Sequence, residues 1–570
     1  MDKPKLRIGL LLDGMSASSW SYRMIEQIRQ SHYADVCLVV KPQRAAQSGV
    51  KTQGLLARIR TTYAYDFGKI FETMVRKALE LVHRHLIERK RFLRDSEEIR
   101  DVSGLLSDVK VIDVKVNQTK WSDSLNEDDL QKIRERNVDV LIRIGFRILR
   151  GGVLTVAKYG IWSFHHGDNH LNRGGPPGFW ESLEAWPETG SILQILTEDV
   201  DNGKVLYRSF SCTNSNSVTD NKSNYYAKSL AFIPRKLQEL WRIGESAFFA
   251  RVEVQNADPA IYSRRLYRKP SNAEYAKLIA RKLVARSAAI VRSRLYIDQW
   301  ILLFDFRDTF SSSLWRYKRL TPPKDRFWAD PHVICANDRY FIFIEEWLLK
   351  AGKGHIAVIE IDAAGNYKAP VPIIERPYHM SYPFVFEFEG AYYMVPETAT
   401  NSTVQLFKCV EFPHKWEFQY NLMESVKVYD ATLVCRGGKW WLFGNMVENA
   451  GASSWDELFV FCADSPLSTD WTPHAANPVI SDCKSARPAG RFFENNGRLY
   501  RPSQNSSVRY GYGFNLARVV ALDSAVYSEE IVSEVEPKWA IDLLATHSFS
   551  MAGKLHVIDA QMRRARFWGR

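Results

Sequence analysis

From about residue 296 onward the sequence repeats one grammar: a strand opening, a polar turn, then an aromatic run. The openings are FWADPHVI at 327, SYPFVFEF at 381, VYDATLVC at 428, ARPAGRFF at 486 and THSFSMAG at 546. The runs that follow include RYFIFIEEW, AYYMVPE, KWWLFGN, RLYRPSQ and KLHVIDA. With Asp330, Tyr382, Asp430, Arg487 and His547 as markers, the intervals are 52, 48, 57 and 60 residues. A unit of about 50 residues with a few short strands cannot bury its apolar face alone and must stack on its neighbours; five such units predict a five-bladed β-propeller over 296–570.

The first half obeys another rule. LRIGLLL (6–12) and VCLVVK (36–41) are short β-rich runs separated by the helix-like SWSYRMIEQIRQSHY, a β-α-β opening for a parallel sheet. VDVLIRIGF (138–146), GIWSF (160–164) and SILQIL (191–196) add strands. These predict an α/β domain over 1–240 with a Rossmann-like parallel sheet and a basic helical insertion near 50–110, followed by a helical connector over 241–295. A chain of 570 residues that is 45% hydrophobic has enough apolar surface for more than one core.

The net charge of +12 admits an anionic partner such as a nucleotide, a phosphate, a nucleic acid or a membrane face, without choosing among them. Much of the excess lies in 57–94 and 267–294, both with helical apolar spacing. Solvated faces of packed helices are the first reading of these segments, and peripheral membrane association is the second. No nucleic acid is expected as a partner, and the oligomeric state is left open. The first apolar run is broken by Asp13 and Gly14, too short for a signal sequence, and no stretch approaches a membrane span. Seven scattered cysteines form no CxxC pair, which fits a reducing compartment. The expected location is cytoplasmic, with the inner membrane surface as the variant.

The segment GIWSFHHGDNHLNRGGPPGFWES (160–182) crowds three histidines, an aspartate and an arginine among glycines. In an open parallel sheet, ligands gather at the carboxyl ends of strands. GIWSF runs straight into His165 and His166, and TEDVDNGKVLY (197–207) follows the next strand and can face them. The set His165, His166, Asp168 and His170 lacks an i, i+4 pair on a defined helix, so no metal is expected.

This segment resembles the catalytic stretch of the formyltetrahydrofolate-dependent formyltransferases, the family of methionyl-tRNA, glycinamide-ribonucleotide and sugar N-formyltransferases. The family pattern Asn-x-His, Arg-Gly, Glu-Thr-Gly and Asp-x-Gly lies over 160–190 without a gap, with one extra residue before Asp201, Asn202 and Gly203. The resemblance implies His165 as catalytic histidine and Asp201 as catalytic aspartate, with Ser163 where the family has asparagine. It implies 10-formyltetrahydrofolate as cosubstrate, its pocket lined by Ile144, Gly145, Phe146, Asp199 and Gly203. His166, Asp168, Asn169 and Arg173 are the nearby candidates for substrate contact. An amine attacking a formyl carbon needs an oxyanion donor and a proton acceptor, which an imidazole and a carboxylate supply. Ser163 is a shorter donor than asparagine, so weakened or redirected chemistry is also open.

FWADP and YDATLV resemble the opening strands of family-43 glycoside hydrolases, with Asp330 and Asp430 at the base and auxiliary positions. Where that family places its glutamate acid, ARPAG puts Arg487, and a guanidinium cannot donate the proton that hydrolysis requires. Sugar recognition, above all of a phosphorylated or acidic sugar, is the expectation, with Trp328, Asp330, Glu346, Tyr382, Glu397, Asp430, Arg487, Arg501 and Gln504 as contacts. The same grammar resembles the N-terminal domain of plant glucosamine inositolphosphorylceramide transferases. Together the resemblances imply formyl transfer to the amine of a nucleotide- or lipid-linked amino sugar, with the propeller holding the sugar. The alternatives are a glycan-binding protein that has lost catalysis, and a propeller with its own glycosyl-transfer or hydrolytic chemistry.

Overall fold

The computed structural model describes residues 3–43, 67–88, 96–199, 202–259, 261–308 and 313–567. The chain divides into two compact units: 1–209 with 213–286 and 449–452, and 210–212 with 287–448 and 453–570. The stretch expected as a separate connector is largely part of the first unit. Phe248 and Val252 of the helix Glu245–Gln255 are buried in its core, and Phe248 stacks on Trp162 at 6.1 Å.

The first unit is built on a seven-stranded sheet in the order 204–212, 188–195, 161–165, 140–143, 6–11, 34–42 and 110–114. The strands from Ile161–His165 to Lys110–Val114 are parallel. The sheet is nevertheless mixed where all-parallel was expected: Glu188–Ile195 runs antiparallel to Ile161–His165, with His165 opposite Ile192. The intervening segment holds one six-residue helix, Phe179–Glu184, which does not carry the chain back to the start of the strand. Both faces of the sheet are covered. Ile8 and Leu10 pack with Met24, Ile25 and Phe232 on one side, while Leu11, Leu38 and Val40 pack with Leu130 and Ile133 on the other. Within the expected insertion the structure has the helix Phe67–Val82, extended by a π-helical turn at His83–Ile87. The segments 44–66 and 89–95 lie outside the described residues.

The second unit consists of five antiparallel sheets. The first joins Lys318–Leu320 and Tyr296–Phe306 to the last strands of the chain, so that Ile301 faces Ala560 and Phe304 faces Val557. The second to fifth span 326–374, 381–424, 428–481 and 493–535 in chain order. Apolar side chains join each sheet to the next: Leu302 and Val557 to Val333 and Ile342, Phe343 and Val358 to Val385 and Met394, Phe384 and Val395 to Leu433 and Phe459. Phe443 and Val460 then meet Leu499, and Phe514 meets Ile301 and Ile558, which closes a ring of five sheets. Pairing the first strand with the last strand locks that ring by backbone hydrogen bonds, leaving no exposed edge at the closure. Arg487, expected on an opening strand, precedes the regular strands of its sheet, and His547 lies between the strands Leu543–Ala545 and Phe549–Ala552, outside both.

Candidate functional sites

In the first unit, Ser163 sits mid-sheet with Arg143 on one side and Gln194 on the other. It is buried, and its Oγ accepts a hydrogen bond from Arg143 Nη1 at 3.1 Å. Arg143 Nη2 also donates to the Phe146 carbonyl at 3.0 Å. The guanidinium therefore covers the hydroxyl expected to act as oxyanion donor. His165 Nε2 lies 2.8 Å from the Asn172 carbonyl, which can only accept, so the proton of this imidazole is on Nε2. Asn172 Nδ2 donates to Glu181 Oε1 at 2.9 Å. Burial pushes the Glu181 carboxyl above the usual glutamate range, and its Oε2 and Asn172 Oδ1 have no hydrogen-bond partner among the described residues. Asp201, expected as the catalytic carboxylate, lies outside the described residues. Among the described residues, the Glu181 carboxyl is linked to His165 through Asn172.

The neighbouring substrate candidates hold their own loop together. His166 bonds Ser191 Oγ through Nδ1 at 3.0 Å and stacks on Tyr225 at 4.5 Å, with Trp20 and Tyr226 against its edges. Burial, helped by the His165 and Lys222 charges, pushes it down to about 3, so it is a neutral packing residue, not an anion contact. Asp168 pairs with Arg208 at 3.2 Å and caps the His170 amide. Arg173 donates to the Asn169 carbonyl and to Asn202 Oδ1, and covers the Tyr262 ring at 4.9 Å. Asn169 is buried, with its Oδ1 unsatisfied.

The residues expected to line a folate pocket do not fit that role. The amides of Ile144 and Gly145 both donate to the Leu11 carbonyl, and the Phe146 amide donates to Asp13 Oδ1 at 2.6 Å. A Cβ on Gly145 would stand 2.3 Å from the Asp13 nitrogen, so glycine serves a close backbone approach there. The Phe146 side chain is buried. Asp199 is exposed, its carbonyl taken by the Asn202 amide, and Gly203 packs against the Ile195 carbonyl. These main-chain donors are spent inside the protein and are not offered to a pterin.

The second unit gathers a denser cluster. Asp330, Tyr382 and Asp430 occupy equivalent places on the opening strands of the second, third and fourth sheets. Each has a left-handed backbone, φ 52°, 44° and 54°, and each sits at a break in strand register. A non-glycine residue there costs about 1–3 kcal/mol, and the bulge turns the side chain out of the regular pleat. Tyr382 Oη bonds Thr432 Oγ1 at 2.7 Å and accepts from the Gly490 amide at 2.9 Å, tying three parts of the ring together. Arg487 pairs with Asp430 at 2.5 Å and with Glu397 at 3.3 Å, under the rings of Tyr510 and Tyr429. Gln504 Nε2 adds a bond to Asp430 at 2.8 Å. His547 lies between Asp559, 2.7 Å from Nδ1, and Asp330, 3.1 Å from Nε2.

Charge in this cluster is unequal. Asp330, Glu345, Glu397, Asp430 and Asp559 face two cations, Arg487 and His547, and all seven are buried. Burial alone would push His547 down, but the Asp559 and Asp330 carboxylates outweigh it and hold the imidazole at about 10. Burial, with help from Asp330 and Glu397, raises Glu345 well above the usual range; burial and Asp430 do the same to Glu397, against Arg487. Burial also raises Asp330. Asp330, Glu345 and Glu397 are thus shifted toward the neutral form, while His547 holds the Asp559 carboxyl below the usual range. Asp330, His547 and Asp559 could also share a cation by the proximity of their donor atoms.

Three candidates stand apart. Trp328 is packed in the core between the first and second sheets, its indole N–H on Glu346 at 3.0 Å. Glu346 is further held by Arg326 and His355. Arg501 binds Glu529 and the Ser485 carbonyl. Sequence reading missed Arg143, Asn172, Glu181, Glu345, Tyr510 and Asp559. An arginine interrupting the apolar strand VLIRIGF was a legible signal for Arg143, since buried parallel strands run apolar. In the Glu345-Glu346 pair, strand alternation sends one carboxyl inward.

A family model described as "Glucosamine inositolphosphorylceramide transferase 1, N-terminal" matches residues 320–566. Glucosamine inositolphosphorylceramide transferase 1 of Oryza sativa subsp. japonica is 32% identical over 206 residues, 36% of this chain and 27% of that protein. Methionyl-tRNA formyltransferase of Prochlorococcus marinus is 38% identical over 82 residues, 14% of this chain and 24% of that protein. The chain spans about a quarter of the length of these curated relatives. Among solved structures, a family 117 glycoside hydrolase from Zobellia galactanivorans covers 46% of this chain and 90% of its own, at 13% identity and a TM-score of 0.31.

Proposed function

We propose that the protein acts on amino-sugar glycans, and that its second unit is a five-bladed propeller whose buried cluster engages the sugar. The observation that carries this reading is the Glu397–Arg487–Asp430 arrangement, with Tyr429 and Tyr510 as flanking rings. An ion pair held by fixed hydrogen bonds presents donors and acceptors to hydroxyl and amine groups at little ordering cost. The match to the plant family supports a glycan ligand. Titration calorimetry with glucosamine-containing oligosaccharides tests it. Binding is expected for the wild type and at least about a tenfold loss in Asp430→Asn, the equivalent of one hydrogen-bonded charge. A wild type that binds no such sugar overturns the proposal.

Catalysis by the same cluster is favoured by one specific finding. Arg487 occupies the position expected for a proton donor, yet Glu345 and Glu397, both raised by burial, supply carboxyl groups shifted toward the acid form beside Asp430. Glycosyl transfer or hydrolysis uses such a pair of carboxyl groups in two protonation states. Loss of turnover in Glu397→Gln with sugar binding retained would support it.

The second reading is N-formyl transfer by the first unit, which on this view has a Rossmann-like formyltransferase fold and acts on a nucleotide- or lipid-linked amino sugar in the cytoplasm. It rests on the methionyl-tRNA formyltransferase match and on His165 at a strand end with a raised carboxyl behind it. 10-Formyltetrahydrofolate would be the donor; the residues 144–146 do not fit it, and no step is assigned to it. Incubation with that donor and an amino sugar, followed by mass spectrometry, reads the gain of one formyl group. A gain of the same size in His165→Ala would remove His165 from the reaction.

A further inference from the structure

The helix Phe67–Val82 carries two apolar stripes. Leu79 and Val82, with Ile87 beyond, pack against Tyr275, Leu278 and Leu283 of the helix Asn272–Leu295. Met74 and Leu81, seven residues apart, lie on a different face and are 65% and 52% exposed, and Phe71, at the edge between the two faces, is 69% exposed. Leu86 in the following turn is 50% exposed. A solvent-facing helix surface is ordinarily polar, and four large exposed apolar groups on one helical stretch need a cover.

The surroundings of this stretch are basic. Lys77 and Arg84 are exposed beside it, and the adjoining helix contributes Arg281 and Arg286. The two helices run side by side in the same direction: Asn272 Nδ2 donates to the Glu72 carbonyl at 2.8 Å, and Arg286 donates to the Leu86 carbonyl. Between their starts lies a cleft of about 640 Å³, lined by Phe71, Thr73, Arg76, Ser271, Asn272 and Ala273. Glu72 also lines it, and at the start of the 24-residue helix Ser271 Oγ already accepts from the Glu274 amide. Exposed apolar groups with flanking cations match the layered chemistry of an acidic lipid surface: acyl boundary and phosphates.

We propose that this face docks on an anionic phospholipid bilayer. Phe71, Met74, Leu81 and Leu86 enter the headgroup–acyl boundary, and Lys77, Arg84, Arg281 and Arg286 neutralise lipid phosphates. The inference does not depend on the sugar reading. Charge complementarity selects lipid over a protein partner, because the cations surround the exposed apolar groups.

Flotation of the full chain with vesicles of phosphatidylcholine alone, or mixed with phosphatidylglycerol, tests it. The bound fraction is expected to be about tenfold higher on the acidic vesicles and to fall when salt is raised. The triple variant Phe71→Ser, Met74→Ser, Leu81→Ser is expected to lose binding on both vesicle types. Lys77→Glu with Arg84→Glu is expected to lose only the acidic-lipid preference, about tenfold. All five positions are exposed, so unchanged thermal melting accompanies these losses. A wild type that floats with neither vesicle, or a triple variant that floats like the wild type, overturns the proposal and leaves a protein as the occupant of this face.

Discussion

The strand end at His165 and the cluster around Arg487 are both crowded with titratable groups, but they use them differently. Around His165, partners are consumed locally: Arg143 on Ser163, Asp168 on Arg208, Arg173 on Asn169 and Asn202, His166 among aromatic rings. Around Arg487, five carboxyls share two cations, and burial raises Glu345 and Glu397 above the usual glutamate range. A loop whose charged groups bond within it is held in place, whereas a buried site with unequal charge keeps proton-transfer and ligand-binding capacity.

The sharpest way to break this contrast is Arg487→Met. It leaves Asp430 and Glu397 buried without their cation, and a loss of about 3–5 kcal/mol of stability in the second unit is expected by calorimetry or denaturant melts. A loss below about 1 kcal/mol would mean that water already screens the pair.

His547 gives the next largest effect. Its folded value of about 10 lies above its ordinary 6.5, so the folded state binds the proton more tightly. Its contribution is full below about 6.5 and is lost as the pH rises through about 10, on the order of a few kcal/mol. The raised Glu345 and Glu397 act with the same sign, while the lowered Asp559 contributes stability that is lost in acid. His547→Gln should flatten the alkaline limb of melting temperature against pH; an unchanged limb would place the titration elsewhere.

Glu181→Gln sharpens the other side. A carboxyl raised by burial loses stability for the fold as pH climbs above the ordinary glutamate range, and the amide cannot. The variant should match the wild type in acid and gain about 1 kcal/mol at neutral to alkaline pH, while Glu181→Ala, which strands Asn172, should lose about 1–2 kcal/mol throughout. Smallest of all, His166→Phe should cost about 1 kcal/mol or less, for one bond to Ser191. It should also remove a loss of stability that the wild type shows as the pH falls below about 6.5, because the unfolded imidazole takes up a proton there and the folded one, held at about 3, does not.

Much of the architecture was legible in sequence because it follows from period and composition. The markers Asp330, Tyr382 and Asp430 recur because each sheet needs a bulge at the same place, so a spacing of roughly fifty residues announced itself in spite of degenerate residues. The strands 6–11, 34–42 and 140–143 were visible as apolar runs between turns. The antiparallel turn of Glu188–Ile195 was not, since an apolar run has no direction until its partner is known. Resemblance put a folate pocket at Ile144, Gly145 and Phe146, but the amide of Phe146 is claimed by Asp13, a residue 133 positions away.

The chain's own order of residues determined which segments become strands and helices, how many sheets the second half makes, and which polar residues stand at strand ends. Tertiary structure decided what those polar groups do. Protonation, pairing and exposure depend on neighbours brought together by ring closure and sheet order: Asp430 meets Arg487 across 57 positions, Glu397 meets it across 90, and Asp559 caps the Asp330 amide across 229. The physical reason is that secondary-structure preference is local, whereas the energy of a buried charge is set by every group within a few ångströms, whatever its place along the chain.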